Sequence, residues 1–309
     1  MQDLSDPANK MAPVAATAEN GTTIASLRAG GEIAGVYACS RKDRLTTRAG
    51  APYLALELRD RSGAIGARVF RDADFLAGRF DRGDLIHVRG RVERFRDELQ
   101  AELSEIRRAT PEEADPADFL PRAYRDLDEL DGFWDHLAGE VYDADLKRLV
   151  DAFGGDADFR AEFRRAPCTR GGHHSYLGGL LEHTVAVATL AHEACALHPR
   201  LNSDVLLAAA LLHDVGKVRE FEYGADISLS EEGRLLGHLA IGQRLISDKA
   251  VLARVPEEKV LSVLHCVLGH HGPDGLPGRR FGSPESLALF RLNALDATVK
   301  GALEHGLSA

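Results

Sequence analysis

The chain has 309 residues, long enough for two domains with separate cores, and its 44% hydrophobic and 28% charged residues are ordinary for a globular protein. No apolar run approaches the roughly 18 residues of a membrane span, and the acidic start Met1-Gln2-Asp3-Leu4-Ser5-Asp6 lacks the apolar centre of a secretory signal. The net charge of −10 is uneven: residues 22–110 hold 17 Lys and Arg against 13 Asp and Glu, a net of +4, and residues 111–309 hold 20 against 32, a net of −12.

Residues 1–21 are rich in Ala, Pro and Asn without periodicity and are expected to be disordered. From Gly30 to Ile106 the pattern is strands and turns. Leu54, Leu56 and Leu58 alternate with Tyr53, Glu57 and Arg59; after the turn Asp60-Arg61-Ser62-Gly63, Ile65, Ala67 and Val69 alternate with Gly66, Arg68 and Phe70. That predicts a hairpin with one buried face. A short helix fits Asp72 to Phe80, a strand Leu85 to Val92, and a last strand Asp97 to Ile106. Five strands with a helix between the third and fourth is the layout of an OB-fold, so residues 22–110 are expected to form an all-β barrel that binds nucleic acid. Tyr53, Arg68 and Phe70 face outward, where rings and a guanidinium suit base stacking and phosphate contact. The alternative is that Tyr53 and Phe70 cap the barrel end, and a surplus of four positive charges is within ordinary scatter.

Residues 111–121 read as an acidic, Pro-containing linker. From 122 to 309 the chain reads as an all-α bundle. Helices are expected over Leu127–Phe153, Asp156–Arg165, Gly178–Leu197, Ser203–His213, Gly233–Leu252, Pro256–His270 and Pro284–Leu303, with Ser203 and Ser283 as N-caps. Cys39, Cys168, Cys195 and Cys266 are far apart and form no CxxC pair. They read as reduced thiols of a cytoplasmic protein, neither a disulfide frame nor a zinc site.

The helical part carries polar residues where apolar ones are expected. His183 falls on the stripe Leu180, Thr184, Val187 and Ala191, so it points inward. His213-Asp214 ends the run Val205 to Leu212. His238, the pair His270-His271, and Asp296 each lie among apolar residues. One such histidine is usually a satisfied core residue, but five positions on five helices point to a common ligand. Imidazoles with carboxylates on facing helices fit a divalent metal, and a two-ion site that clamps a phosphoryl group.

His183, His213-Asp214 and a late Asp resemble the HD phosphohydrolase superfamily. The stretches His173-His174-Ser175-Tyr176-Leu177-Gly178-Gly179-Leu180-Leu181-Glu182-His183, Leu212-His213-Asp214-Val215-Gly216-Lys217-Val218, Glu232-Gly233-Arg234-Leu235-Leu236-Gly237-His238, Gly269-His270-His271-Gly272 and Phe281-Gly282-Ser283-Pro284 resemble the YhaM-type 3′-to-5′ exoribonucleases, which place an OB-fold before an HD domain. The likeness runs over about residues 22–300. It implies hydrolysis of single-stranded RNA, or of single-stranded DNA, from the 3′ end by a metal-activated water. It implies two ions, with manganese first and iron, cobalt or magnesium as alternatives.

Carried over by position, His183, His213, Asp214 and Asp296 hold one ion, and His238 and His270 hold a second with Asp214 bridging. His271 and Asn293 are further ligand candidates. Asp214 and Lys217 are the catalytic candidates. Lys217 is placed to touch the phosphate, with a solvated side chain as the alternative. His173 and His174 contact substrate or orient ligands. Two departures stand out: the family often has an acidic residue where this chain has Asn293, and the loop Pro273–Arg280 brings Arg279-Arg280 where the family tends to be acidic. Substrate clamping is one use for those arginines, and a surface insertion is the other. Two other readings remain: an HD nucleotide or cyclic-dinucleotide phosphohydrolase, and a non-catalytic single-strand-binding protein with a decayed HD site. No membrane partner is expected; a homo-oligomer is compatible with the sequence.

Overall fold

A computed structural model describes residues 22–110, 112–223 and 226–306. The expectation of disorder over 1–21 falls outside them. The chain divides into two compact units between Asp115 and Pro116.

The first unit is a closed barrel of β1 (Glu32–Thr46), β2 (Pro52–Asp60), β3 (Gly63–Val69), β4 (Leu85–Phe95) and β5 (Glu98–Arg108), in the order β1-β2-β3-β5-β4. Helix α1 (Ala73–Ala77) lies between β3 and β4, as the OB-fold layout requires. Strand β1 is long enough to serve two neighbours. Its first half pairs with β4 and its second with β2, and the register shifts between Cys39 and Arg41, where the strand turns from one partner to the other. Leu54, Leu56, Leu58, Ile65, Ala67 and Val69 fill the interior with Ile33, Ile86 and Val88, so the alternation seen in the sequence is the barrel's inside and outside.

The second unit is a helical bundle: α2 (Leu127–Gly139), α3 (Ala144–Gly154), α4 (Ala157–Arg165), α5 (Gly179–Leu197), α6 (Ser203–Leu212), α7 (Lys217–Glu220), α8 (Glu231–Leu252), α9 (Glu257–Gly269) and α10 (Pro284–His305). Its core gathers Leu149, Phe153, Leu180, Val187, Leu206, Leu211 and Val267 around α5 and α6.

Several expectations need correction. The helix expected over Leu127–Phe153 is two helices. Asp143 caps α3 by accepting from Asp145 N and Leu146 N, and Asp204 Oδ1, from α6, accepts from Tyr142 N and Asp143 N and holds the break open. The N-cap of α6 is Asn202 rather than Ser203, because the Asn202 amide oxygen reaches Val205 N; Ser283 does cap α10. The unit is not wholly helical: β6 (Phe221–Tyr223) and β7 (Ile227–Leu229) form a small hairpin. The division between the units falls within the segment expected as a linker, and Leu120 at its end is buried against Leu177, Phe221 and Ile227 of the second unit. No helix among the described residues is long and apolar enough to cross a membrane.

Candidate metal centre

Buried polar side chains from α5, α8, α10 and the turns after α6 and α9 meet at Asp214, which is 1% exposed. Glycines make the approach possible. Gly216 lies so close to the His238 carbonyl oxygen that a Cβ there would sit 2.1 Å from it. Gly237 breaks α8 with φ +70°, a conformation that favours glycine, and the freed His238 N–H donates to Glu220 Oε1.

Hydrogen bonds fix how the imidazoles face. His213 Nδ1 donates to Ala210 O at 2.7 Å and His270 Nδ1 to Val267 O at 2.6 Å. Nδ1 of His238 donates to Glu220 Oε1 at 3.0 Å, and His183 Nδ1 to Asp296 Oδ2 at 2.6 Å. Each Nδ1 is thus committed to a partner, and in the neutral ring the opposite Nε2 is a bare acceptor. The four Nε2 atoms converge on Asp214: His213 at 3.3 Å and His183 at 3.6 Å from Oδ2, His270 at 3.4 Å and His238 at 3.6 Å from Oδ1.

Acceptors facing acceptors repel unless a cation lies among them. His183 Nε2 and His213 Nε2 are 3.3 Å apart, and Asn293 Oδ1 is 2.9 Å from His183 Nε2. Asp214 Oδ1 and His270 Nε2 are buried without a hydrogen-bond partner. Unpaired buried groups of this kind are rare and need an explanation. A divalent cation supplies one, and the donor set of imidazole, carboxylate and amide oxygen fits it. Among the described residues, three groups place one ligand atom each within 4.8 Å of one another: His173, His174, His183 and Asp296; Asp214, His238, His270 and His271; Cys168, His183 and Asp214.

Protonation states agree with that reading. Burial drives the His183 imidazole well below the ordinary histidine range, and lowers His270 to about 4. They are therefore neutral at pH 7, as ligands must be. Burial opposes ionisation of Asp214, and the adjacent Lys217 ammonium is the largest influence against it, so that the carboxyl stays well below its usual value.

Lys217 is buried, and its Nζ donates to Asp214 Oδ2 at 2.7 Å and to Cys168 Sγ at 3.4 Å, which rules out the solvated side chain. His173 and His174 stand beside the cluster: the His173 ring centroid is 4.9 Å from that of His183, and His174 is buried with its main-chain N–H donating to Glu304. Asn293 and Asp296 meet opposite nitrogens of one imidazole, Nε2 and Nδ1 of His183. Arg279 and Arg280 are exposed; Arg279 ends a short 3-10 turn after α9 and Arg280 follows it in extended conformation. Sequence reasoning missed Glu220 and Cys168, which lie outside the periodic apolar runs, and no local signal marks either.

On the barrel, Tyr53, Arg68 and Phe70 come together. The Tyr53 and Phe70 rings are 5.5 Å apart, and the Arg68 guanidinium lies 5.8 Å from the Tyr53 ring centre. It lies 4.7 Å from the ring of Phe95, another residue the sequence reading missed, at the tip of the β4–β5 hairpin. Phe70 and Phe95 are 41% and 45% exposed, so both rings present aromatic surface to solvent.

Residues 31–109 match the family of the OB-fold nucleic acid binding domain, and residues 180–298 match the HD domain. The chain is 31% identical over 244 residues to the 3′-5′ exoribonuclease YhaM of Oceanobacillus iheyensis, covering 79% of this chain and 76% of that one. It is 30% identical to the protein of the same name from Bacillus subtilis, covering 76% and 73%, and 28% identical to that of Listeria welshimeri, covering 81% and 80%.

Proposed function

The chain belongs to the family of the 3′-5′ exoribonuclease YhaM, and from that premise we propose that it hydrolyses single-stranded RNA from the 3′ end with divalent metal ions, single-stranded DNA being a second substrate. The observation that carries the reading is the set of four inward Nε2 atoms around Asp214, with Asp214 Oδ1 and His270 Nε2 left unpaired. We assign His183, His213, Asp214 and Asn293 to one ion and Asp214, His238, His270 and His271 to the other. Bound there, such ions supply a nucleophile at neutral pH and offset charge on the phosphoryl oxygens.

The protein's own side chains do the rest. Lys217 keeps Asp214 ionised so that both carboxylate oxygens stay available. Asp296 and Glu220 hold the protons on Nδ1 of His183 and His238 and so aim the opposite nitrogens at Asp214. In the sequence Asp296 is the leading late ligand; the bond it makes to Nδ1 supports an orienting role instead, with Asn293 on the ligand side. Tyr53, Arg68, Phe70 and Phe95 hold the strand by stacking and charge, and the covalent tether raises its local concentration at the helical unit.

The test is an assay of metal-stripped protein on 5′-labelled single-stranded RNA with manganese restored. The expected result is a ladder that shortens from the 3′ end with mononucleotide release. No release with manganese, cobalt, iron or magnesium sinks the reading, and faster turnover of free nucleotides than of the oligonucleotide replaces it with a small-molecule phosphohydrolase.

A further inference from the structure

Cys168 lies before α5, fully buried. Its main-chain N–H donates to His174 O, which fixes the turn and points the thiol at the cluster. Sγ is 3.9 Å from Asp214 Oδ2 and 3.4 Å from Lys217 Nζ. One ligand atom each from Cys168, His183 and Asp214 falls within 4.8 Å of one another.

The charge of the donor set gives this placement meaning. Around His183 and His213 the direct donors are two imidazoles, the neutral amide oxygen of Asn293 and one oxygen of Asp214. Asp214 is shared, because its other oxygen faces His238 and His270. Glu220 and Asp296 already accept from Nδ1 atoms. Among the described residues the Cys168 thiol is the remaining group beside Asp214 Oδ2 that can become an anion, and because burial pushes it up to about 12 it would do so only together with a bound cation. A thiolate there would also face a donor, since Lys217 Nζ already points at Sγ.

We propose that Cys168 coordinates the ion held by His183, His213 and Asp214 as a thiolate, and that it makes this half of the centre selective for thiophilic divalent cations such as zinc, cobalt or iron(II). The inference rests on the metal-dependent reading above. The S–H bond breaks as the sulfur–metal bond forms, and the proton leaves to solvent; Lys217 stays protonated and donates to the thiolate and to Asp214. Soft sulfur discriminates against manganese and magnesium, which prefer oxygen. Among the described residues the half formed by His238, His270 and His271 has no sulfur within the same span, so the two halves differ in the ion each prefers.

The test uses the full chain, stripped with a chelator and titrated with cobalt(II), read by its electronic spectrum. Visible d–d bands report binding, and a near-ultraviolet sulfur-to-cobalt charge-transfer band reports thiolate coordination. Wild type should show both. So should a variant in which Cys39, Cys195 and Cys266 are replaced by serine. Cys168→Ser and Cys168→Ala should keep d–d bands and lose the charge-transfer band. Their zinc affinity should fall roughly tenfold or more, the scale on which even residues behind the ligands act, with manganese affinity changed much less.

Wild-type d–d bands without charge transfer overturn the inference and leave the metal reading standing, and the wild-type spectrum decides this even if both variants fail to fold. Charge transfer that survives in Cys168→Ser also overturns it. Absence of any cobalt binding by wild type overturns the metal reading and this inference together.

Discussion

The barrel turns aromatic rings outward, while the helical unit turns imidazoles and carboxylates inward. Both reverse the usual partition of side chains, but at very different expense. Phe70 and Phe95 forgo part of their burial, which costs about 1–2 kcal/mol each and leaves the barrel core intact. His183, His213, Asp214 and His270 are nearly or wholly excluded from water, and each needs a partner to be tolerated. The barrel surface should therefore tolerate change in small steps of affinity, whereas the buried cluster should respond as a unit.

The sharpest way to break that contrast is His213→Ala. It removes an Nε2 that faces both Asp214 and His183. We expect kcat/KM on single-stranded RNA to fall by about 4 kcal/mol of transition-state stabilisation, on the order of a thousandfold. RNA affinity of the metal-free protein should be unchanged, because the aromatic surface is in the other unit. A variant that keeps a tenth or more of wild-type turnover would remove His213 from the centre.

Acid should separate the two units next. Burial lowers His270 to about 4, against about 6.5 for an exposed histidine. Below pH 6.5 the unfolded chain gains a proton that the folded chain refuses until about 4, so metal-free stability falls as pH drops through that window and is flat above it. His174, lowered to about 3 by burial, extends the loss downward. Thermal melts of metal-stripped protein should show the helical transition dropping between about pH 7 and about pH 5, by at least about tenfold in its folding constant. The barrel holds one histidine in its strands, the half-buried His87, and should lose less. Equal losses in both units would mean that the cluster is not what acid attacks.

These contrasts track what could be read from the sequence. The barrel alternation at Leu54, Leu56 and Leu58 was plain because period-two burial leaves a local pattern. The histidines were plain because a polar residue on an apolar stripe is conspicuous. Asp204 was not, since its role is to accept from Tyr142 and Asp143, some sixty residues away in sequence. Glu220 and Cys168 were missed because a four-residue helix and a loop, both too short to show a periodicity, deliver them. Asn293 and Asp296 lie on one helix face, and spacing alone does not say which nitrogen of His183 each meets.

That ambiguity gives the third test. If Asp296 orients His183 through Nδ1, Asp296→Asn should weaken metal binding about 10–100-fold while the number of ions bound at saturation stays the same. Asn293→Asp should tighten binding by adding an anion on the Nε2 side, and Asn293→Ala should loosen it. Calorimetric titration of the stripped variants reads all three. If Asp296→Asn removes an ion outright while Asn293→Ala does nothing, Asp296 returns to the ligand role.

The smallest effects belong to the barrel, and they test whether its exposed rings bind at all. A stacked base contributes about 1–3 kcal/mol by alanine substitution. Phe70→Ala or Phe95→Ala should therefore weaken single-stranded RNA by about tenfold, with melting of the barrel nearly unchanged because neither ring belongs to its core. Arg68 should behave differently from both. Its guanidinium lies over Tyr53 and Phe95, so Arg68→Ala removes a charge and a prop for the rings together. If the charge meets phosphate, the slope of log affinity against log salt should flatten by about 0.7, the value for one contact on a single strand. If Arg68 only props the rings, affinity falls while the slope stays. Arg68→Lys divides these outcomes: it keeps the charge but loses the planar stacking surface, so the slope should be restored even where affinity is not.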